Sequence, residues 1–315
     1  MKAAVRRSYG APDVVRIEEV PAPTPGATQV LVRVHASAVT AADARIRAAD
    51  FPRGYALIAR LLFGLRRPRQ PILGGVASGV VEAVGARVEG FEVGDVVSGT
   101  TGLGLGCHAE LAVLSAKKLV HKPAEVSHEQ AAGVLFGGPT ALHFLRDVAH
   151  VQPGQTVLVN GASGAVGTNA VQLAKHLGAE VTAVTSAANA VLLKQLGADR
   201  VVDYALTPAA DLTERFDVVL DNVGNLGRDD GRRLLARDGV LVLVVADLGE
   251  TLRAHGNVKA GPAPERAESF GTLLDLVADG TLTVVNQHVL DLADIVQAHE
   301  VVDSGRKVGN IIVRP

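Results

Sequence analysis

The fold is decided by residues 156–187, which read TVLVNGASGAVGTNAVQLAKHLGAEVTAVTSA. An apolar run from Thr156 to Val159 is followed by small residues from Gly161 to Gly167. Apolar residues at helical spacing then predict a helix over 165–177. The stretch therefore predicts a strand, a glycine turn and a helix. The apolar residues that share one face of this helix are Val166, Ala170, Leu173 and Leu177.

The glycine turn has the character of a phosphate-binding site. A diphosphate approaches a backbone where side chains are absent, and it is held there by free N–H groups and the positive end of a helix. Gly164 would permit that approach, and Gly167 would let the helix pack closely on the strand. A tight turn without a ligand is the alternative, because Ala162 occupies the first glycine position of G-x-G-x-x-G and Gly161 must supply the turn. The predicted dinucleotide-binding residues are Gly161, Ala162, Ser163, Gly164, Ala165 and Val166.

The end of the second strand bears on the choice of cofactor. NAD-selective sites place a carboxylate there for the ribose 2′-hydroxyl, about twenty residues after the glycine turn. This strand ends instead in Thr185 and Ser186, which would not repel a 2′-phosphate. We therefore predict NADPH, with NADH possible because no Lys or Arg follows until Lys194. Ser186, Asn189 and Tyr204 could line the adenosine ribose, and helix capping is the alternative role for Thr185 and Ser186.

The pattern changes twice along the chain. Residues 1–121 read as short strands between Gly- and Pro-rich turns, which is typical of a small β-barrel. One of them, QVLVRVHASAV, alternates in part, with Val30, Val32 and Val34 on one face and Arg33 and His35 on the other. Strands and helices alternate over 122–262, which predicts a parallel sheet with helices on both faces. Over 263–315 a helix precedes two strand candidates, TLTVVNQHVL and GNIIVRP, and we expect this tail to return to the first domain.

Bulk properties exclude several classes of protein. The chain has 315 residues, 48% of them hydrophobic, and a net charge of -2, so no basic field would recruit nucleic acid. A single cysteine excludes an intrachain disulfide and a four-cysteine zinc site, which fits a cytoplasmic protein. The N-terminus lacks the apolar core of a secretory signal, and the most apolar windows are too short to span a bilayer.

Four segments carry a resemblance to a known family: VLVNGASGAVG, LGADRVVDY, FDVVLDNVG and FGGPTALHFL. They resemble the medium-chain dehydrogenase/reductase superfamily, in its zinc-independent quinone oxidoreductase branch. The resemblance implies a GroES-like β-barrel catalytic domain from residues 1–121 and 263–315, with a Rossmann domain at 122–262 and a cleft between them. It also implies a homodimer that reduces quinones or α,β-unsaturated carbonyls with NADPH. An enoyl or polyketide-type reductase and a redox sensor with little turnover are the alternatives.

Positions that hold zinc ligands in the zinc-dependent branch differ here. ASAVTAADAR lacks the ligand cysteine, and Gly74-Gly75-Val76 stands where that branch has Gly-His-Glu. A catalytic zinc needs at least three protein ligands. Cys107 and His108 are adjacent, so on a strand they would point to opposite faces and could not chelate one ion. We therefore predict no metal, and we expect Cys107 to line a loop at the cleft.

The resemblance also implies roles for residues around the nicotinamide. Thr140 would lie beside its ribose, and Asn222 with Val223 would lie at the next strand end. Val245 and Ala246 would lie beside the ring, although core packing is an equal alternative for both.

The segment TAADAR would line the substrate pocket, and its candidate catalytic residues are Thr40, Asp43 and Arg45. Related enzymes resemble Asn-x-x-Asp-x-Tyr here, so Thr40 replaces the Asn and Arg45 replaces the Tyr. We expect Arg45 or Thr40 to orient the acceptor oxygen, because a hydrogen-bond donor there stabilises the charge that develops on it. A solvated helix face is the alternative for Arg45.

Residues 51–70, FPRGYALIARLLFGLRRPRQ, mix bulky apolar side chains with arginines. Three interpretations compete: a lid over the substrate cleft, a membrane-surface or nucleic-acid patch, and an amphipathic helix with a solvated face. Position in the chain, directly after the TAADAR segment, favours the lid.

Overall fold

The computed structural model describes all 315 residues. Its strands form a six-stranded sheet, a seven-stranded sheet and a separate pair. The strands are β1 Lys2–Arg6, β2 Val15–Glu19, β3 Gln29–Val39, β4 Val76–Val84, β5 Val96–Thr100, β6 Leu111–Ser115, β7 Leu119–His121, β8 Thr156–Asn160, β9 Glu180–Thr185, β10 Arg200–Asp203, β11 Phe216–Asp221, β12 Leu235–Leu243, β13 Val258–Ala260, β14 Asn286–Asp291 and β15 Asn310–Arg314.

Nine α-helices accompany these strands. None of them combines the length and the apolar character that a membrane crossing requires. The helices are α1 Ala41–Ala48, α2 Ala56–Phe63, α3 His128–Leu142, α4 Ala165–His176, α5 Ala190–Gln195, α6 Arg228–Arg233, α7 Leu248–Arg253, α8 Ala267–Ala278 and α9 Ile295–Asp303.

The six-stranded sheet is parallel throughout and has the order β10-β9-β8-β11-β12-β13. The chain enters at β8, builds outward to β10, and then returns to add β11 on the other side of β8. The strand order therefore reverses between β8 and β11, and ligands of such sheets bind beyond the carboxyl ends of the strands at this switch point. The predicted doubly wound α/β fold is confirmed.

The seven-stranded sheet combines strands β3 to β7 from the first part of the chain with β14 and β15 from its last part. Strand β3 alternates as predicted, with Val30, Val32 and Val34 buried and Arg33 and His35 exposed. The C-terminal strand β15 pairs with β3 in antiparallel fashion, which confirms that the tail returns to the first sheet.

The predicted strand TLTVVNQHVL is shorter than expected. Only its second part pairs with β15, from Asn286 onward. Thr283 instead bonds to Gln172 of α4: its N–H donates to the Gln172 side-chain oxygen at 2.8 Å, and its carbonyl accepts from the amide nitrogen at 3.0 Å. Bonds to this helix replace the strand ladder over the first half of the segment.

One hydrophobic core spans both sheets. A cluster of 35 buried residues includes Val157 and Val159 of the parallel sheet as well as Ala36 and Ile312 of the other sheet. Helices α3 and α8 join the two parts, since both contribute buried side chains to the cluster. Because the core continues through these helices, the domain boundaries expected at residues 121 and 262 stay predictions.

A polar cluster lies buried beside this core. The ring of His299 is 0% exposed, and neither ring nitrogen has a hydrogen-bond partner. His108 lies edge-on to it at 6.1 Å between ring centroids. Burial lowers the pKa of His299 to about 2, and the positive charges of Arg47 and Arg6 act in the same direction. The folded protein therefore keeps His299 neutral.

We expect the free energy of unfolding to fall as the pH drops below about 6.5, because the unfolded chain protonates His299 there and the folded protein does not. One such group lowers stability by about 1.3 kcal/mol between about pH 7.5 and about pH 5.5. Urea unfolding at both pH values should show that His299→Leu loses this part of the decline. The exposed control His176→Gln should keep it, and an unchanged pH dependence in His299→Leu would contradict the assignment.

Candidate dinucleotide and substrate site

Gly161 makes the turn that leaves strand β8. Its φ is +72°, and a Cβ on this residue would lie 2.6 Å from Cγ2 of Val223. Gly164 precedes α4 in an extended conformation, and a Cβ there would meet nothing closer than the Gly161 carbonyl oxygen at 3.6 Å. At Gly167 a Cβ would overlap that same oxygen. The turn is therefore open at Gly164 and closely packed at Gly167, as the sequence predicts.

Some backbone N–H groups of the turn donate hydrogen bonds within the protein, and others have no partner there. The Ala162 N–H donates to the Val184 carbonyl at 3.0 Å, so it is committed to the fold. The N–H groups of Ala165 and Val166, the first residues of α4, have no partner in the protein. These amides and the positive end of the helix thus remain for an anion. Ser163 uses its carbonyl oxygen, which accepts from the Gly309 N–H at 2.8 Å.

Asp221 organises the loop after the neighbouring strand β11. Its buried carboxylate accepts N–H groups from Val223 at 3.0 Å, Gly224 at 3.1 Å and Leu226 at 3.2 Å. It also accepts from the Asn160 side-chain amide at 2.8 Å. Burial raises the pKa of Asp221, against the opposing effect of these bonds. Asp221 was not predicted from the sequence, although its place at the end of a buried strand, before Asn-Val-Gly, was the available signal.

The residues expected near the nicotinamide lie around this loop. Asn222 donates its side-chain amide to the Asn160 carbonyl at 3.0 Å, and Val223 is 50% exposed over Gly161. Val245 lies against the backbone at Gly224, where a Cβ would be 3.0 Å from its Cγ1. Ala246 is partly buried and packs against the hydrophobic core, which is the alternative that the sequence left open for this residue.

Thr140 lies half-buried on α3, one turn beyond Gly137. A Cβ at Gly137 would overlap the Ala165 carbonyl oxygen, so α3 touches the start of α4 through bare backbone. This role of Gly137 was not predicted from the sequence. This close approach puts Thr140 on the helix that borders the anion-binding amides.

The three residues expected at the adenosine ribose, Ser186, Asn189 and Tyr204, lie close to Thr185 at the end of β9. The Asn189 amide donates to the Ser186 hydroxyl at 3.2 Å, and the Tyr204 N–H donates to the Thr185 carbonyl at 3.1 Å. Neither hydroxyl caps the following short helix. The Tyr204 residue is 52% exposed, so its ring is open to a ligand.

The charged groups near this ribose position favour neither cofactor strongly. Asp203 ends β10 opposite Thr185, but its carboxylate accepts the Ala205 N–H at 3.0 Å within its own turn. Lys194 donates to the Asp199 carbonyl and so lies away from the strand end.

Lys307 brings a cation to the glycine turn. Its ammonium donates to the Gly309 carbonyl at 2.6 Å, and Gly309 in turn donates its N–H to Ser163. Burial lowers the pKa of Lys307 to about 8. Lys307 was not predicted from the sequence because it lies far along the chain from the turn, in the segment GRKVGNIIVRP.

Thr40 and Asp43 are occupied by the fold. The Thr40 hydroxyl donates to Asp43 Oδ2 at 2.5 Å and caps helix α1. Asp43 Oδ1 accepts the Gly74 N–H at 2.9 Å, and the two residues are 5% and 2% exposed. This arrangement weighs against a direct role for either in the reaction. Arg45 is half-buried on the same helix and makes no hydrogen bond or ion pair, so it is the free donor of the three.

Cys107 does not line a loop at the cleft, which corrects the expectation from sequence. It is 0% exposed within a core cluster of valines, alanines and leucines, and burial raises the pKa of its thiol to about 12. The adjacent His108 is also buried, with its Nε2 at 3.1 Å from the Ala38 carbonyl. No group of three or more His, Cys, Asp and Glu side chains is arranged to hold a metal ion.

Two family models match the chain. Residues 26–124 match an alcohol dehydrogenase GroES-like domain, and residues 196–313 match a zinc-binding dehydrogenase domain. A quinone oxidoreductase from Pseudomonas aeruginosa is 30% identical over 333 residues, with 98% of each chain covered.

Solved structures agree with these matches. The quinone oxidoreductase from Coxiella burnetii has a TM-score of 0.89 at 28% identity, covering 100% of this chain and 99% of that one. The Escherichia coli quinone oxidoreductase complexed with NADPH has a TM-score of 0.83 at 25% identity, covering 100% of both chains. The chain therefore belongs to the medium-chain dehydrogenase/reductase superfamily of oxidoreductases, in its quinone oxidoreductase-like branch.

Proposed function

We propose that this protein reduces quinones or α,β-unsaturated carbonyls by hydride transfer from NADPH, without zinc. The observation that carries the proposal is the glycine turn at the switch point of the parallel sheet. Its open side at Gly164 and the unpaired amides of Ala165 and Val166 are suited to a pyrophosphate. The E. coli relative with NADPH bound supports the choice of cofactor.

NADPH is proposed over NADH because no free carboxylate stands at the end of β9. Ser186, Asn189 and Tyr204 would surround the ribose, and the hydroxyl and amide groups there can donate to a 2′-phosphate. Asp203 belongs to the neighbouring strand β10, where its carboxylate accepts the Ala205 N–H of its own turn. Lys307 would add a positive charge on the pyrophosphate side of the site.

Bound NADPH would supply the hydride, and the residues of this chain would align the acceptor and exclude water. Asn222, Val223 and Val245 would form the wall beside the reacting carbon. Arg45 would donate to the acceptor oxygen and stabilise its developing negative charge. Quinones and enones are already polarised, so this donor can replace a metal. The only cysteine, Cys107, is fully buried, and no group of three His, Cys, Asp or Glu side chains is arranged to hold a zinc ion.

The resemblance further implies a homodimer, and the single cysteine fits a cytoplasmic protein; both stay predictions. A reductase of enoyl substrates from the same superfamily is the alternative activity. Both activities would use the same residues named above, so only the choice of electron acceptor distinguishes them.

Turnover can be followed through the nicotinamide absorbance with a panel of quinones, enones and enoyl thioesters. We expect oxidation of NADPH by p-benzoquinone or an enone, with kcat/KM at least about tenfold higher than for NADH, which corresponds to about 1.4 kcal/mol. A chelator should leave the rate unchanged. No turnover despite enhanced NADPH fluorescence would support a binding protein instead, and activity lost to chelator and restored by zinc would refute the metal-free reaction.

Lys307→Gln should raise KM for NADPH about tenfold and leave kcat unchanged, because a charge-assisted contact to phosphate contributes about 1.5 kcal/mol. In the native protein kcat/KM for NADPH should decline above pH 8, since Lys307 loses its charge as the pH rises through its pKa of about 8. Lys307→Arg should move that decline to higher pH. The exposed Lys117→Gln serves as control, and a native KM in Lys307→Gln would contradict the assignment.

Arg45→Ala should lower kcat by about tenfold to a hundredfold while KM for NADPH stays unchanged, because a hydrogen bond from a charged donor contributes about 1.5–3 kcal/mol. Thr40→Ala should instead lower the free energy of unfolding by about 1 kcal/mol through loss of the helix cap, with kcat near the native value. Steady-state kinetics and urea unfolding separate the two effects. A native kcat in Arg45→Ala would remove it from the proposed site.

A further inference from the structure

Helix α2 turns an apolar face to solvent. A surface helix normally points its polar side outward and its apolar side inward. In α2 the residues at i, i+1, i+4 and i+5 share the outer side, and all four are large and aliphatic. The buried Ala59 and the half-buried Phe63 lie on the inner side. The exposed fractions of the outer residues are Leu57 68%, Ile58 47%, Leu61 52% and Leu62 53%.

This orientation is held by specific contacts from below. Phe63 stacks on Phe51 with 6.1 Å between ring centroids. Arg60 lies over the Tyr9 ring at 4.7 Å, and the Tyr9 hydroxyl donates to the Gly64 carbonyl at 2.7 Å. The helix therefore presents its leucines outward as a fixed surface, rather than folding them against the protein as a closed lid would.

Unpaired positive charge borders the apolar face. Residues 51–70 contain five arginines and no Asp or Glu. Arg66, Arg67 and Arg69 are exposed, and none of them makes an ion pair. Leu65, 57% exposed, continues the apolar surface toward them. We name these eight residues the leucine–arginine face: Leu57, Ile58, Leu61, Leu62, Leu65, Arg66, Arg67 and Arg69.

We propose that the leucine–arginine face docks the protein onto an anionic lipid bilayer surface. Aliphatic side chains enter the boundary between headgroups and acyl chains, while guanidinium groups bind lipid phosphates. A second copy of the chain suits the face less well, since a two-fold contact would bring the same unpaired arginines together. The face carries no aromatic side chain for nucleobases, which disfavours single-stranded nucleic acid. The inference is independent of the proposed reaction.

Vesicle sedimentation tests the proposal with the intact chain. We expect binding to vesicles of phosphatidylcholine mixed with phosphatidylglycerol and not to phosphatidylcholine alone, with weaker binding as salt rises. Leu57→Ser/Leu61→Ser should reduce binding at least about tenfold. Arg66→Gln/Arg67→Gln should reduce it about thirtyfold. The matched control Val93→Ser/Leu206→Ser removes side chains that are 64% and 84% exposed elsewhere and should bind normally.

Several outcomes would overturn the proposal. Absence of native binding would do so, as would native binding in both face variants. A dimer that Leu57→Ser/Leu61→Ser converts to monomer in ultracentrifugation, without lipid binding, would assign the face to a second copy. Binding of single-stranded DNA without vesicles would assign it to nucleic acid. A raised KM for quinones with unchanged vesicle binding would restore the lid. Thermal unfolding of each variant ensures that the compared proteins are folded.

Discussion

The contact between helix α4 and the glycine turn is the constraint on which the site depends. A Cβ at Gly167 would overlap the Gly161 carbonyl oxygen, and one at Gly137 would overlap the Ala165 carbonyl oxygen. Either side chain would force a helix away from the turn and shift the free amides of Ala165 and Val166. The direction of these amides is therefore set by backbone lying on backbone. An anion site built this way needs no charged side chain to define its position, although one can add affinity.

The tail of the chain reaches the same turn from the other sheet. Gly309 donates its N–H to Ser163, and Gln172 of α4 bonds to both backbone groups of Thr283. These bonds join the segment that carries Lys307 to the segment that carries the free amides. A ligand bound at the turn would thus contact two segments, one with the free amides and one with Lys307, that hydrogen bonds already hold together. Residues near 161 thus set the shape of the anion site, and Lys307, far away in sequence, adds the positive charge.

The sequence predicted those features that are determined by residues close together along the chain. The strand, turn and helix over 156–177 follow from periodicity and glycine spacing within one stretch, and the alternation of β3 follows from its own residues. Lys307 and Asp221 escaped prediction because their roles depend on partners far along the chain. The prediction that Cys107 lines a loop at the cleft was wrong for the same reason, since its burial is produced by neighbours from several strands. The helix cap formed by Thr40 and Asp43 depends only on residues close in sequence, whereas the hydrogen bond from the Gly74 N–H to Asp43 depends on the fold.

Residues 51–70 extend this reasoning to a surface. Their sequence left a lid, a membrane surface and a solvated helix open, because rotation about a helix axis depends on what packs beneath it. Tyr9, far away in sequence, supplies that support and turns the leucines outward. Keeping a large aliphatic side chain in water instead of burying it forgoes about 1.5–3 kcal/mol. Nothing within the chain offsets this for four neighbouring residues, so an apolar partner that also accepts arginines is the arrangement that recovers it.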